Sequence, residues 1–523
     1  MLQRSNPRHL ALWIIGISTL FRLYLAAFTG LSVGESYYWR GAQFLQLSYF
    51  DQPPLFLWLS GITIRLLDIS NFALRLPAVL LFSGTSYLLY QIGARLFNPK
   101  VGLVALILLN ISFVFTIPVA SWFQPDAPLM FFWLMTTWGL IQVFFPKEPN
   151  GSSFKWWIFI GVALGFTTLS KYHALFLMAS TFLFVVINPG QRRWLKHPGP
   201  YLALLITAIM LTPVLLWNAE HQWVSFNFQG SRAGGYQVDF TRLIRSIVGQ
   251  MAWIAPWIWF PLIIVLFKTV RSTEPSQKES FLFWLAILPI VFFTFIAPFA
   301  RIGFHFHWQA PGYLIAFLLL GNAVAKNLEN NQRSTRKWLR SSIAITLVFT
   351  LLLTVHMTTG FWSAFGPKLV GEQFGNTTDP TMEGVDFTDI RKRFEQEGWL
   401  KNDNLFVATE KWWQTGKIDW PLRGEKDVLI FHPDPRNHAY FFEPKAWLGK
   451  DAIYVRYKKE DRPPSSHVVP FFESIKQLPD LPVIRYSKTE LVMEVFYCKG
   501  FKIPAQARWD LPIYRRLLDQ EPF

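Results

Sequence analysis

At roughly 150 residues per domain, 523 residues would make three or four soluble domains, yet the chain is 51% hydrophobic and only 16% charged, with a mean hydropathy of +0.24. Soluble domains carry about 25% charged residues, so that reading is excluded, and 24 Trp and 50 Phe supply the large rings that collect at bilayer surfaces. The net charge of +16 does not indicate a nucleic-acid partner: residues 1–360 hold 26 basic and 10 acidic side chains and residues 361–523 hold 24 of each, so the excess lies wholly in the apolar part and no nucleic-acid-binding motif accompanies it.

Runs of about 17–25 apolar residues match a ~30 Å hydrocarbon core. Taken in chain order, such runs predict eleven spans near 10–29, 73–92, 101–118, 127–145, 156–170, 173–188, 201–217, 246–267, 280–299, 309–325 and 341–358. The first is read as an anchor helix rather than a cleaved leader. Leu55–Leu67, shorter and interrupted by Arg65, suits a juxtamembrane or re-entrant helix. With eleven spans and a cytoplasmic N-terminus, inside loops hold seventeen basic residues and short outside loops six, the asymmetry expected of cytoplasmic loops. Glu35, Asp51, Asp68, Asp126, Glu220 and Asp239 then fall on or near the outer side, so an outer-face carboxylate catalyst comes from these six or from the tail.

Beyond the last span the pattern changes. A short charged helix over Phe387–Glu397, stopped by Gly398, and strand-like runs at 404–409, 427–431, 452–457, 482–486 and 491–496 predict a small α/β domain. The expected architecture is a polytopic α-helical membrane domain, residues 1–359, followed by an extracytoplasmic α/β domain, residues 360–523. The single cysteine, Cys498, allows no disulfide within the chain.

The first outer loop reads Gly34-Glu35-Ser36-Tyr37-Tyr38-Trp39 and then Tyr49-Phe50-Asp51-Gln52-Pro53-Pro54-Leu55, with Asn71-Phe72-Ala73-Leu74-Arg75-Leu76-Pro77 beyond the short helix. Further on stand Gln124-Pro125-Asp126-Ala127-Pro128, Ser170-Lys171-Tyr172, Trp217-Asn218 through His221 to Arg232, and His307-Trp308-Gln309-Ala310-Pro311-Gly312-Tyr313. These strings, colinear over most of residues 30–315, resemble polyprenyl-phosphate-sugar-dependent membrane glycosyltransferases of the GT-C fold. That group includes lipid A aminoarabinose and galacturonic acid transferases and, more distantly, protein O-mannosyltransferases. The chain departs from the group at two places: Gly34 stands where the first-loop acidic pair usually has Asp, and Asn71 where Glu is frequent.

The resemblance implies sugar transfer from an undecaprenyl-type phosphate carrier to lipid A, another envelope glycan or a protein, on the outer face of a bacterial inner membrane. Such a transfer calls for a carboxylate that takes the acceptor proton and cations that stabilise the departing phosphate. Glu35 and Asp126 lead as catalytic carboxylates, paired across a cavity, and Asp51 is third. Lys171, Arg232, Arg301 and His307 are phosphate-side candidates, Tyr37, Tyr38 and Trp39 could stack on a sugar, and the motifs add Tyr172 and His221. Each has a plainer reading: Asp126 favouring a helix N-terminus, Asp51 forming an Asx turn, Lys171 snorkelling to the interface. No metal ligand set is assigned. A divalent ion is admitted as a cofactor, although His305 and His307 have no clear third ligand. The competing function is a non-catalytic lipid-linked sugar binder or transporter, favoured by Gly34; the midplane charges and repeated halves of a transporter are not evident.

Overall fold

The computed structural model describes residues 6–147, 153–233, 238–272, 275–300, 307–361, 381, 384–458, 463–485 and 488–521. Arg301 and His305, named above, lie outside them. Packing divides the chain into two compact units, one of residues 1–26, 52–56 and 75–350, the other of residues 27–51, 57–74 and 351–523.

The helices in chain order are α1 (Pro7–Phe28), α2 (Val33–Gln43), α3 (Leu55–Leu66), α4 (Asn71–Leu96), α5 (Pro99–Asn110), α6 (Phe113–Thr116), α7 (Pro118–Ser121), α8 (Asp126–Phe144), α9 (Ser153–Ser170), α10 (Ala174–Ile187), α11 (Pro198–Met210) and α12 (Thr212–Glu220). They continue as α13 (Val224–Ala233), α14 (Thr241–Ile254), α15 (Pro256–Arg271), α16 (Gln277–Phe295), α17 (Ala310–Glu329) and α18 (Arg333–Thr359). Every one of the eleven apolar runs is helical. Among the described residues, five single helices, α1, α4, α8, α16 and α18, are long and apolar enough to cross a bilayer, and four bent pairs raise the number to nine. The other two runs form α9 and α17.

Three runs read as spans are bent. The run 101–118 turns by 85° after α5, 201–217 by 44° between α11 and α12, and 246–267 by 110° between α14 and α15. At the last bend Ala255 adopts a φ of 84°, and Pro256, whose ring supplies no N–H, opens the next helix. Starts elsewhere are capped by side chains: Asn98 accepts from the Lys100 and Val101 N–H groups ahead of α5, and Ser276 with Glu279 forms a reciprocal capping box on α16.

The core of the first unit is a continuous set of buried side chains from α4, α5, α8 and α15–α17. Glycine lets α4 and α5 cross closely, since a Cβ on Gly102 would run into the Tyr90 carbonyl. Some buried polar groups are tied together: Arg22 donates to Asn110 at 2.9 Å, and Tyr313 donates to Gln250 at 2.6 Å while accepting from Trp259 at 2.9 Å.

The second unit holds α2, α19 (Thr388–Gln396), α20 (Trp412–Asp419), α21 (Pro512–Leu517) and one five-stranded sheet. Its strands are β1 (Leu405–Thr409), β2 (Val428–Ile430), β3 (Asp451–Tyr457), β4 (Phe472–Arg485) and β5 (Lys488–Phe501), in the order β2-β1-β3-β5-β4. β1 pairs in parallel with β2 and β3; β5 is antiparallel to β3 and β4. β4 and β5 run for 14 residues each, much longer than the sequence pattern predicts. Pro479 and Pro482 obscure β4 in the sequence, and both are tolerated because β4 is an edge strand with an irregularity between Leu478 and Leu481.

Helix α2 from the first loop belongs to this unit. A Cβ on Gly416 would strike the Ser36–Tyr37 backbone, so α2 and α20 meet nearly backbone to backbone. Arg40 donates to both carboxylate oxygens of Asp419, at 2.6 and 2.7 Å, and to the Lys426 carbonyl at 2.6 Å. Trp39 lies edge-on to Trp420, with ring centroids 5.4 Å apart.

Candidate functional site

In the first unit a buried carboxylate gathers cations. Asp126 opens α8, where the helix N-terminus already favours negative charge. Lys171, in the break between α9 and α10, donates to Asp126 Oδ1 at 2.9 Å, and His307 Nε2 stands 3.9 Å from Asp126 Oδ2. Both side chains of the ion pair are buried, Lys171 being 6% and Asp126 2% exposed. Arg232, near the end of α13, lies over the Trp308 ring at 5.3 Å and the Phe228 ring at 5.4 Å, beside His307 in sequence. Three separated stretches thus bring Lys171, Arg232 and His307 together around Asp126 or the adjoining Trp308.

His173 completes this group, and the sequence reading missed it. It stacks on Phe293 with centroids 4.5 Å apart, meets Trp308 edge-on at 6.4 Å, and feels the charges of Lys171, His307 and Arg232. Its only sequence signal is its place two residues after Lys171. Tyr172 packs against Phe226 at 5.6 Å. His221 has a local duty: it stacks on Trp217 at 4.1 Å, and its Nδ1 lies 2.7 Å from the Trp217 carbonyl at the end of α12. Elsewhere in the unit, an apolar cavity of about 460 Å³ is lined by Thr136, Leu164, Leu177 and Phe182.

The second unit holds a different constellation. Ser32 caps α2, accepting from the Glu35 N–H at 3.3 Å, while the fully buried Glu35 carboxylate accepts from the Ser32 N–H at 2.8 Å. Asp51, 2% exposed, accepts from the Tyr38 hydroxyl at 3.3 Å and from the Asn437 amide at 3.2 Å. Tyr37 is buried against Tyr38, Trp412 and His438, and its oxygen accepts from the Asn437 N–H at 3.1 Å. Burial first, then the nearby Asp51 carboxylate, pushes the Tyr37 hydroxyl well above the usual tyrosine range. At 1% exposure Tyr37 offers no open face for a sugar; Tyr38 and Trp412 are only half-buried.

A family model described as dolichyl-phosphate-mannose-protein mannosyltransferase matches residues 51–217. The chain is 23% identical over 324 residues to the lipid A galacturonosyltransferase RgtD of Rhizobium johnstonii, covering 60% of this chain and 65% of that protein. It is 25% identical over 321 residues to the undecaprenyl phosphate-alpha-4-amino-4-deoxy-L-arabinose arabinosyl transferase 2 of Pseudomonas fluorescens, covering 56% and 53%. The matched stretch spans less than two thirds of either relative. Among solved structures, ArnT from Cupriavidus metallidurans in the apo state superposes with a TM-score of 0.60 at 15% identity, covering 94% of this chain and 98% of that one. The same protein bound to undecaprenyl phosphate gives 0.60 at 14% identity, with 93% and 97% covered.

The chain has the GT-C polytopic membrane fold.

This GT-C chain is a multi-pass membrane protein with a small C-terminal sheet domain, as the apolar runs predict. Among the described residues of the GT-C chain, no three His, Cys, Asp or Glu side chains stand together as a metal site.

His438 adds a pH dependence to the second unit. Its ring is buried, neither nitrogen has a partner among the described residues, and burial lowers its pKa to about 3 from an ordinary 6.5. The unfolded chain therefore binds the proton more readily than the folded one. The contribution to stability is present above pH 6.5 and is lost as pH falls towards 3, at about 1.4 kcal/mol per pH unit. Thermal unfolding of the detergent-solubilised protein, followed by tryptophan fluorescence, should show the midpoint falling from pH 7 to 5. In His438→Phe that slope should be reduced.

Proposed function

We propose that this protein transfers a sugar from a polyprenyl monophosphate carrier to an envelope acceptor, lipid A first among them, on the outer face of a bacterial inner membrane. The observation that carries the reading is the buried Asp126–Lys171 pair with His307 and Arg232 beside it. A buried cationic cluster bordered by apolar helices suits a lipid phosphate, whose charge could not otherwise be held there. The relatives support it in kind: one is named for transfer to lipid A, another for an undecaprenyl phosphate donor, and a solved relative was captured with undecaprenyl phosphate. The 460 Å³ apolar cavity has the character an isoprenoid segment needs.

In the proposed reaction the acceptor oxygen attacks the anomeric carbon and the bond from that carbon to the phosphate oxygen breaks. The bonding pair leaves with the phosphate, which Lys171, Arg232 and His307 stabilise, Arg301 being a further candidate. A carboxylate receives the acceptor proton. Three carboxylates are proposed for that role. Glu35 already serves a helix cap through one oxygen and Asp126 holds Lys171. Asp51 is held by two side-chain donors, the Tyr38 hydroxyl and the Asn437 amide, one on each oxygen, so the base role is proposed for Asp51 first. The 1–359 and 360–523 segments are proposed as the membrane transferase domain and an outer domain.

Membranes containing the protein, supplied with polyprenyl-phosphate sugars and lipid A, should yield lipid A one glycosyl residue heavier by mass spectrometry. Asp51→Asn should abolish the product while Glu35→Gln retains part of it; the reverse result would move the base to Glu35. Cysteines introduced into the tail should react with an impermeant reagent without disruption of the inner membrane. If wild-type membranes transfer nothing to any envelope acceptor, the non-catalytic lipid-sugar binder becomes the better reading.

A further inference from the structure

The C-terminal sheet has a functional end that its topology identifies. From β1 the chain passes through α20 to β2 on one side, then crosses back to β3 on the other, giving three parallel strands in the order β2-β1-β3. In open α/β sheets such a reversal of direction leaves a crevice beyond the carboxyl ends of the strands, and ligands bind there. Beyond β1, after Glu410 and Lys411, α20 begins with Trp412, and the segment beyond β2 carries Arg436 and Asn437. Arg436 adopts a φ of 51°, a left-handed conformation rare outside glycine, and its guanidinium lies 3.7 Å above the Trp412 ring.

Asn437 occupies that end and uses three groups at once. Its N–H donates to Tyr37 at 3.1 Å, its Oδ1 accepts from the Phe50 N–H at 2.8 Å, and its Nδ2 donates to Asp51 Oδ1 at 3.2 Å. Asn437 is 2% exposed. A buried amide with an acceptor on the backbone before a carboxylate and a donor on the carboxylate itself fixes both the position and the rotation of that carboxylate. The Tyr38 hydroxyl on Asp51 Oδ2 holds the opposite side.

We infer that Asn437 is a positioning residue for the transfer reaction, holding the Asp51 carboxylate in its reactive orientation, so that the C-terminal domain supplies part of the machinery. The inference rests on Asp51 acting as the base. Loss of the Nδ2 donor leaves Asp51 less oriented and its charged form less stabilised, lowering turnover while leaving the donor lipid's binding groups untouched.

The test compares Asn437→Asp, Asn437→Ala and Asp51→Asn in the full-length protein in proteoliposomes, with a polyprenyl-phosphate sugar and lipid A. Asn437→Asp keeps an acceptor for the Phe50 N–H but replaces the donor to Asp51 with a second carboxylate. The acid limb of its pH–rate profile should rise by about one pH unit or more, because a like charge at contact distance disfavours ionisation of Asp51. Asn437→Ala should lower kcat about tenfold with the donor KM within about twofold. A merely structural role would lower the folded yield of Asn437→Ala and leave its kcat per folded molecule at the wild-type value. That result, with Asp51→Asn inactive, overturns the positioning role and leaves the Asp51 reading standing. Wild-type turnover in Asp51→Asn removes the Asp51 reading, and the positioning role with it.

Discussion

Replacing Asp126 with Asn is expected to cut transfer at least about a hundredfold, the low end of what removal of a charged catalytic partner costs. The side chain keeps its size, so the loss is electrical. Lys171 stays buried without its carboxylate, and breaking a buried pair from one side costs about 3–5 kcal/mol. A lysine so placed is no longer held where a phosphate would meet it. Lys171→Met should lose transfer to a similar degree, because the buried Asp126 carboxylate then loses its lysine. The double variant Asp126→Asn with Lys171→Met should recover thermal stability without recovering transfer, because an apolar replacement of both partners is often neutral for folding. Initial rates at saturating donor, read beside melting curves, separate the two effects. Near-wild-type rates in Asp126→Asn would remove this cluster from the reaction.

Arg40→Ala should be the most damaging substitution for the second unit. Arg40 and Asp419 are about as buried as side chains become, 1% and 0% exposed, and Arg40 also lies 4.4 Å over the Trp39 ring. Burial pushes the Asp419 carboxyl up, and the Arg40 guanidinium pulls against that shift. Without Arg40 nothing comparable opposes the burial, so about 3–5 kcal/mol of stability should be lost, enough to deplete the folded protein in the membrane. Arg40→Lys should recover only part, since an ammonium cannot reproduce the two parallel bonds of the guanidinium. Quantitative blotting of membranes and thermal unfolding in detergent measure both. A midpoint within a degree or two of wild type in Arg40→Ala would show that the pair carries no such load.

The spans were legible because each apolar run is long enough to state its own conformation. The bends were not, since the 110° turn at Ala255–Pro256 breaks a run whose composition is continuous across it. The cap on α2 was open to reading: Ser32 and Glu35 stand at capping-box spacing, a pattern that gives Glu35 a structural duty before any chemical one. Motif resemblance pointed to Asp126, Lys171, Arg232 and His307, whereas the ion pair at 2.9 Å joins residues 45 apart and needs the folded bundle to be seen. His173 and Asn437 escaped because neither belongs to a quoted motif and each acquires its neighbours only through folding. In the tail, strand β4 was underestimated because proline and charge argue against a strand in isolation, though both are acceptable on a sheet edge.

The second unit is assembled from stretches made at opposite ends of synthesis, and this sets a waiting time. Arg40 and its carboxylate partner Asp419 are 379 positions apart. At about 5–20 residues per second, a ribosome needs roughly 20 to 75 seconds to deliver Asp419 after Arg40 has emerged. Throughout that interval the Glu35, Arg40 and Asp51 segment is already made while its tail partners do not yet exist. The newborn loop must keep its charges hydrated until the last third of the chain arrives, so a stall or premature stop in that third would strand a carboxylate-bearing loop without the groups that orient it.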